Sequence, residues 1–483
     1  MAVVTNPLKN LVVDLLLDEH DSAAFLKRAR GGSYDSGDFH RGIRYYAAIG
    51  RSQVWNDSDI SPNPQPTLQE ENRFRNNMQS VKLVADVSLV VPRYNWSSGT
   101  FYDAYDDATS TNTNAYYVIN SNQQVYLVMR KSINDSGTPV ASTVEPTGGT
   151  NGVPFLTSDG YMWKFMYSVS ATQANKFQSA NFIPIKFVDS TDGNSPVSDT
   201  EQKAVQDASV HGEIVGYAID NPGAGYSSAP TLTITGNGSN AVASATVSGG
   251  QVVKVEVADS TTGVIKVANF GSGYDYAAVA VSGGSPTTAA VIRPILAPNG
   301  GLGENPVKTL RTNSIMLNSK PAGAEAGASG FDFLVDQDFR QVGLLKNPGD
   351  SAHSNDSAGV FTKFTENTGS TLRRLHFSSI SPSFSKDDTI LGATSGAKAL
   401  VDKDSGNDIF YHQTDSTGFG AFTAGETVNA TTGTGSGVLL GAGLFDSEGE
   451  VNRYSGELLY IDNRAKIERS ADQTEDLKII IQI

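Results

Sequence analysis

The chain has 483 residues, no cysteine and a formal net charge of -15 at pH 7. The missing thiols exclude disulfides and thiolate metal sites, and the acidic surface disfavours binding to phosphate backbones and anionic membranes. The abundance of glycine, with 48 residues, and the low charged fraction of 18% fit many short strands joined by tight turns. The composition therefore predicts a mainly β protein of about two to four domains.

The first element is the strongest helical pattern in the sequence. Asn6 suits an N-cap, Pro7 fits the first turn, and apolar residues recur at helical spacing over 8–16. We predict a helical arm over residues 1–32, which packs either into the first domain or onto a neighbouring subunit, since periodicity does not separate the two. Its apolar run is too short to cross a bilayer and lacks a secretion-type cleavage site, so we expect a cytosolic product.

Residues 33–200 predict the first part of a β core. Apolar and aromatic runs that favour strands occur at 45–50, 82–91, 116–119, 125–129 and 161–167. Pro92 closes the second run, and Asp159-Gly160 predicts a tight turn before the last.

Residues 201–302 predict an inserted β domain with an internal repeat. The sequence NPGAGY at 221–226 recurs as NFGSGY at 269–274. Strand-like runs precede the copies at 213–219 and 264–268 and follow them at 231–235 and 277–281. We expect the glycines to adopt left-handed turn conformations and the tyrosine of each copy to cover an apolar layer.

The rest of the chain predicts three further segments. They are a second part of the β core at 303–352, a second inserted β domain at 353–447 and the C-terminal core strands at 448–483. Within the second insertion, the runs 388–397 and 423–428 look like strands broken by glycine turns, and the alternating run 477–483 predicts the last strand. The predicted fold is a β-sandwich-like core with two inserted β domains and a short N-terminal helix.

No catalytic pattern is recognisable in the sequence. The six histidines lack metal-ligand spacing, the glycine turns lack the lysine of a phosphate loop, and the serines at 378–383 lack a nucleophile elbow. Asp103, Asp106 and Asp107 lack the ligand order of a calcium loop and fit a solvated acidic turn, although the paired carboxylates of a glycosidase need not be close in sequence. We therefore assign no catalytic or metal-binding residue and expect no cofactor.

Five stretches, read in chain order, resemble one family. They are AIGRSQVW at 48–55, VVPRYNW at 90–96, SDGYMWK at 158–164, FRQV at 339–342 with Asn347-Pro348, and SGELLYIDNR at 455–464 with DQTE at 472–475. Together they resemble the baseplate wedge subunit called gene product eight of T-even-type contractile-tailed bacteriophages. The two inserted β domains, 201–302 and 353–447, and the N-terminal helix look like additions in larger relatives, such as those of phages of cyanobacteria.

The resemblance implies a structural protein of the virion tail baseplate, assembled in the host cytoplasm and without enzyme activity. It implies a homodimer within each wedge and contacts with other wedge proteins, with no nucleic acid, membrane or small-molecule partner. Eight residues of these stretches are candidates for interface or scaffold roles: Arg51, Trp55, Arg93, Trp96, Trp163, Arg340, Arg464 and Asp472. Burial within the fold is the favoured role, since arginine forks bind carboxylates and carbonyls at strand ends.

Two alternatives stay open at this stage. A virion enzyme that degrades host glycan would use paired carboxylates that the sequence does not reveal. A host-glycan-binding tail module would use exposed aromatic side chains, for which Trp55, Trp96 and Trp163 are the candidates. Each tryptophan lies in or beside an apolar run, so core packing is favoured.

Overall fold

The computed structural model describes residues 44–84, 86–109, 112–257, 269–322, 333, 337–351, 362–470 and 472–482. The mainly β class predicted from composition is confirmed, since the described chain contains thirty strands and only short helices. The predicted helix over 1–32 and the predicted strand over 264–268 lie outside the described residues. The domain boundaries stay predictions, and strands from several of the predicted stretches pair within one sheet of the core.

Two antiparallel sheets form the sandwich-like core. The five-stranded sheet has the order β20-β2-β1-β18-β29, with β1 Tyr45–Gly50, β2 Met78–Leu83, β18 Asp338–Lys346, β20 Thr368–Ser370 and β29 Glu457–Glu468. The four-stranded sheet has the order β30-β17-β3-β8, with β3 Asp86–Pro92, β8 Phe182–Ile185, β17 Ser314–Ser319 and β30 Leu477–Gln482. One apolar cluster joins the facing sides of both sheets.

The predicted strand over 82–91 is wrong in one respect, because the structure divides this run between β2 and β3. The chain leaves the five-stranded sheet after Leu83 and enters the four-stranded sheet at Asp86. Val84 stays buried at the crossing, where its N–H donates to the Tyr45 carbonyl. Apolar residues continue from Leu83 and Val84 into β3, and most of β3 is buried, so composition alone does not mark the break.

The strand β1 of the five-stranded sheet is buried on both faces. On β1, Tyr45, Ala47 and Ile49 face the four-stranded sheet, whereas Tyr46 and Ala48 face a second cluster that contains Phe74 of α1, Leu68–Asn77. Double burial explains why β1 is a continuous apolar run rather than an alternating one. Gly343 of β18 permits this packing, since a Cβ there would meet the Phe74 ring at 2.4 Å.

A second four-stranded sheet, β4-β5-β7-β6, lies against the core. Its strands are β4 Tyr117–Ile119, β5 Gln124–Arg130, β6 Phe155–Leu156 and β7 Met162–Ser168. The predicted strand runs 116–119 and 125–129 are confirmed as β4 and β5, which pair as a hairpin. Three short helices flank these sheets: α2 Ala171–Phe177, capped by a reciprocal Ser170 and Gln173 box, α3 Val197–Asp207 and α4 Pro306–Thr309.

Four two-stranded sheets form the first insertion: β9/β16, β10/β15, β11/β14 and β12/β13. The strands are β9 Ile214–Asn221, β10 Thr231–Gly236, β11 Ser239–Ala241, β12 Ser244–Ser248, β13 Gln251–Glu256, β14 Phe270–Ser272, β15 Ala277–Ser282 and β16 Val291–Leu296.

The internal repeat behaves as predicted at its turns. Gly223 and its counterpart Gly271 both have φ 66°, the left-handed region that glycine adopts without a steric cost. Tyr226 and Tyr274 are both 5% exposed, and the strands that follow the two copies, β10 and β15, pair with each other.

The second insertion closes into a small barrel. Strands β24, β23, β22, β25, β26 and β21 pair in that order, and β21 also pairs with β24, while β27 lies beside β21. The bounds are β21 Arg373–Ile380, β22 Thr389–Gly392, β23 Lys398–Asp404, β24 Asp408–His412, β25 Thr427–Ala430, β26 Ser436–Leu439 and β27 Asp446–Ser447. A separate apolar cluster fills its interior. The short pair β19 Gly349–Asp350 and β28 Val451–Asn452 leads the chain into and out of this region.

Candidate functional site

Four of the eight candidate residues, Arg51, Trp55, Arg340 and Arg464, gather at the edge of the five-stranded sheet. Together with Asp59 they form what we call the edge clamp. Arg51 follows β1 in a left-handed conformation, and its guanidinium lies 4.0 Å from the centre of the Trp55 ring. The Trp55 indole N–H donates to the Arg464 carbonyl at 2.9 Å. The loop after β1 is thereby fixed across the edge strand β29.

Arg340 is the buried centre of the edge clamp. Its side chain is 3% exposed, and Nε lies 2.9 and 3.1 Å from the two carboxylate oxygens of Asp59. Nη1 donates to the Ser52 carbonyl. The hydrogen bond from Arg340 lowers the pKa of the Asp59 carboxyl. The sequence did not single out Asp59, which lies 281 positions from its partner.

The edge clamp protects a strand that would otherwise expose its outer side. β29 is the last strand of its sheet and is 12 residues long, a length that invites pairing with another chain. Its pairing with β18 shifts register on either side of 461–463, and the Asn463 amide donates to the Pro62 carbonyl at 3.0 Å. Bulges and a covering loop are two ways in which proteins block such edges.

Trp96 and Trp163 belong to a second group, the tryptophan network. The Trp96 N–H donates to Ser142 Oγ at 3.0 Å, and the Trp163 N–H donates to Thr157 Oγ1 at 3.1 Å. Both hydroxyls donate to the same carboxylate, Asp159. Trp163 is fully buried, Trp96 packs on the same apolar cluster, and both indole N–H groups are bonded. The prediction that these two tryptophans are packed side chains is confirmed.

Asp159 is the hub of the tryptophan network. Burial raises the pKa of the Asp159 carboxyl, but four hydrogen-bond donors outweigh it, and the net effect is a lowered pKa. The donors are the Thr157 hydroxyl, the Val144 and Thr143 N–H groups and the Ser142 hydroxyl. The N–H donors lie 2.8 and 2.9 Å away. The predicted Asp159-Gly160 turn therefore ties two distant loops to β7.

We expect Asp159→Asn to destabilise the protein by about 1–3 kcal/mol, because an amide nitrogen would face donors that need an acceptor. A carboxyl whose folded pKa is lowered stabilises the fold above its unfolded pKa of about 3.9, and this contribution is lost as the pH falls through the folded pKa. The loss measured by urea unfolding should therefore shrink below about pH 4. Asp135→Asn is the control, since that side chain is 89% exposed. Equal effects at both sites would contradict the assignment.

The other two candidates lie apart from these groups. Arg93 donates to Asn95 Oδ1 at 2.9 Å and to the Ser179 carbonyl at 3.0 Å, and so ties β3 to the turn before β8. Asp472 is exposed in the turn before β30. A buried ion pair lies nearby that the sequence did not predict. Arg469 Nε is 3.1 Å from Glu475 Oε2.

The turn that contains Asp103, Asp106 and Asp107 was predicted to be solvated, but two of its carboxylates form ion pairs. Asp106 and Asp107 pair with Arg293 of β16 at 2.8 and 3.0 Å, which fixes the first insertion to the core. Asp103 lines a neighbouring cleft of about 460 Å³, together with Tyr105 and Tyr217. Among the described residues, no three histidine, aspartate or glutamate side chains gather closely enough to hold a metal ion.

A buried polar network joins the barrel to the five-stranded sheet, and we call it the junction network: Gln53, Gln337, Asp402 and His412. The side chains of Asp402 and His412 are fully buried, with 2.6 Å between Asp402 Oδ2 and His412 Nδ1. Gln337 donates to Asp402 Oδ1 at 2.8 Å. Gln53 Nε2 lies 3.0 Å from His412 Nε2 and reaches it from the loop that the edge clamp holds.

Comparison with models of known protein families and with characterised proteins finds no match to this chain. Within the described residues, no helix is both long enough and apolar enough to span a bilayer.

Proposed function

We propose that the chain is a structural component of a contractile phage tail baseplate, and that it assembles as a dimer within each wedge by contacts with itself and with other wedge proteins. The observation that carries this proposal is the spatial convergence of the five stretches that resemble the family. Three stretches, up to 409 positions apart, meet at the edge clamp. The second and third stretches meet at the tryptophan network. A chance match of short motifs gives no reason for such convergence.

The first, fourth and fifth stretches lie on adjacent strands. Ile49 of β1 is opposite Val342 of β18, and Val342 is opposite Asp462 of β29. The edge clamp then joins the ends of the same three stretches. The second and third stretches meet where the Trp96 N–H reaches Asp159 through Ser142. The strands that carry the first, fourth and fifth stretches thus lie side by side in the core, which supports a scaffold role.

The loop held by the edge clamp offers an apolar contact surface. Val54, Ile60 and Leu68 are 57%, 66% and 72% exposed, although they lie on a loop with defined hydrogen bonds and at the start of α1. Apolar side chains on a fixed backbone suit a protein interface, because little ordering is needed on binding. We propose that this surface contributes to the dimer.

Analytical ultracentrifugation tests the proposed dimer by measuring the mass of the purified chain in solution. The purified chain should sediment at twice the monomer mass, and Ile60→Glu with Leu68→Glu should shift it to monomer, because two charges would be buried at the interface. Leu444→Glu is the matched control, since Leu444 is 65% exposed on the barrel. A native chain that stays monomeric would contradict the dimer.

Immunogold labelling of isolated tails tests the location. An antibody against the chain should label the baseplate, and the chain should be found by mass spectrometry in purified tail fractions. Label confined to fibre tips, or absence of the chain from intact tails, would contradict the baseplate assignment.

A further inference from the structure

Three side chains that are distant in sequence form a hydrogen-bonded chain on the outer face of the barrel: Ser447, His376 and Asp408, here called the triad. Ser447 Oγ lies 3.0 Å from His376 Nε2. His376 Nδ1 lies 2.7 Å from Asp408 Oδ1. A hydroxyl beside an imidazole that a carboxylate orients is the arrangement of an activated serine nucleophile.

Strand pairing places the triad on one face. His376 of β21 is directly opposite Asp408 of β24, and Arg374 of β21 is directly opposite Ser447 of β27. The intervening residue Leu375 points into the barrel core. Because side chains alternate along a strand, His376 and Arg374 share the outer face with Asp408 and Ser447.

The surroundings of the triad leave it accessible and provide positive charge. The side chains of His376 and Asp408 are 24% and 42% exposed, so a substrate in solvent can reach them. The Arg374 guanidinium lies 4.9 Å from the centre of the Phe410 ring, which holds it on the same face. A fixed cation next to a nucleophile stabilises the oxyanion of a tetrahedral intermediate.

We propose that the triad is a hydrolytic centre for small carboxylic esters, an activity beyond the structural role proposed above. Ser447 Oγ attacks the ester carbonyl carbon while its proton passes to His376 Nε2, and Asp408 holds the imidazole through Nδ1. The carbon–alkoxide bond then breaks, and the alkoxide leaves with the proton from His376. Water repeats the sequence on the acyl-serine and releases the carboxylic acid, which restores Ser447. The open outer face suits a small acyl group.

Acylation of Ser447 tests this proposal. A fluorophosphonate probe should label the full chain at Ser447, and p-nitrophenyl acetate should be hydrolysed with an initial burst. Ser447→Ala should abolish both, and His376→Ala should slow acylation by roughly 100-fold or more, the usual contribution of a general base. Ser378→Ala is the matched control, because Ser378 is an exposed serine two positions from His376 on β21.

A cysteine variant keeps the test decisive if Ser447→Ala does not fold. The chain contains no cysteine, so Ser447→Cys carries a single thiol. A neighbouring imidazole promotes the thiolate, and alkylation by iodoacetamide near pH 7 should be about tenfold faster than for Ser378→Cys. His376→Ala should remove this difference. The proposal would be overturned if the folded chain formed no adduct at Ser447 and if the Ser447→Cys and Ser378→Cys variants were alkylated at equal rates. The three side chains would then be hydrogen-bonded without being reactive. Neither result bears on the dimer or on the location in the tail.

Discussion

Replacing Arg340 with methionine is expected to lower the free energy of unfolding by about 3–5 kcal/mol, the usual cost of breaking a buried ion pair. The 3% exposed side chain of Arg340 binds both carboxylate oxygens of Asp59 and the Ser52 carbonyl. Methionine fills a similar volume but donates nothing. The Ser52 carbonyl loses this donor, Asp59 keeps the Trp55 N–H but loses the arginine, and the nearly buried Asp338 loses the guanidinium 3.5 Å away. Urea unfolding followed by circular dichroism measures the loss.

The matched control is Arg464→Met, because it removes an arginine from the same edge clamp. The Arg464 side chain is 55% exposed and pairs only locally, with Asp462 at 2.6 Å, while its backbone carbonyl accepts the Trp55 N–H in either variant. Exposed pairs of this kind contribute less than about 1 kcal/mol. Similar losses for both variants would contradict a buried centre at Arg340.

The pH dependence gives a second readout for Arg340. The hydrogen bond from Arg340 lowers the pKa of Asp59, so the pair stabilises the fold above the unfolded pKa of about 3.9 and loses this contribution as the pH falls through the folded pKa. The native chain and Arg340→Met should therefore approach each other in stability below about pH 4. A difference that is constant with pH would show that Arg340 acts through packing and its bond to the Ser52 carbonyl rather than through Asp59.

The strands that the sequence predicted best are those buried on both faces. The run 45–50 matches β1 at both ends, and the hairpin at 116–129 matches β4 and β5 within a residue. Aromatic and branched residues fill both faces of these strands, so strand propensity and burial agree. The run 82–91 failed for the same reason, since burial continues through the crossing between two sheets.

The helix Leu68–Asn77 was missed because its sequence, LQEENRFRNN, has little apolar periodicity. Only Phe74 enters the core deeply, against β1 and β18. A local signal was present, since Thr67 caps the helix by accepting from the Glu70 N–H. Capping patterns therefore identify such helices where hydrophobic periodicity does not.

Chain order did not reveal which candidate residues meet. The Trp55 N–H and the Arg464 carbonyl are 409 positions apart and meet because β1, β18 and β29 are neighbours in one sheet. The triad escaped for the same reason, since His376 is 32 positions from Asp408 and 71 from Ser447. Motif searches find nucleophile and base pairs when they are local, whereas sheet register joins residues without any fixed spacing.

Replacing Asp402 with alanine is expected to cost about 3 kcal/mol or more and to loosen the attachment of the barrel to the core. The fully buried carboxylate of Asp402 accepts from Gln337 at 2.8 Å and lies 2.6 Å from His412 Nδ1. Without it, buried donors on both sides of the junction lose their acceptor, at about 1–3 kcal/mol each. Hydrogen exchange should show faster opening at β23 and β24, with the core sheet less affected.

The matched control is Asp404→Asn, two residues along β23 and beyond the register shift that lies at Asp402. Asp404 accepts from the Phe384 N–H at 2.9 Å but is only half-buried and lies within the barrel region, so the expected loss is about 1 kcal/mol. The double replacement Asp402→Leu with His412→Phe should recover part of the Asp402→Ala loss, because a buried polar pair exchanged for apolar side chains leaves fewer unpaired groups. If Asp404→Asn cost as much as Asp402→Ala, or if exchange rose equally in the barrel and the core, the junction network would not be what couples the two.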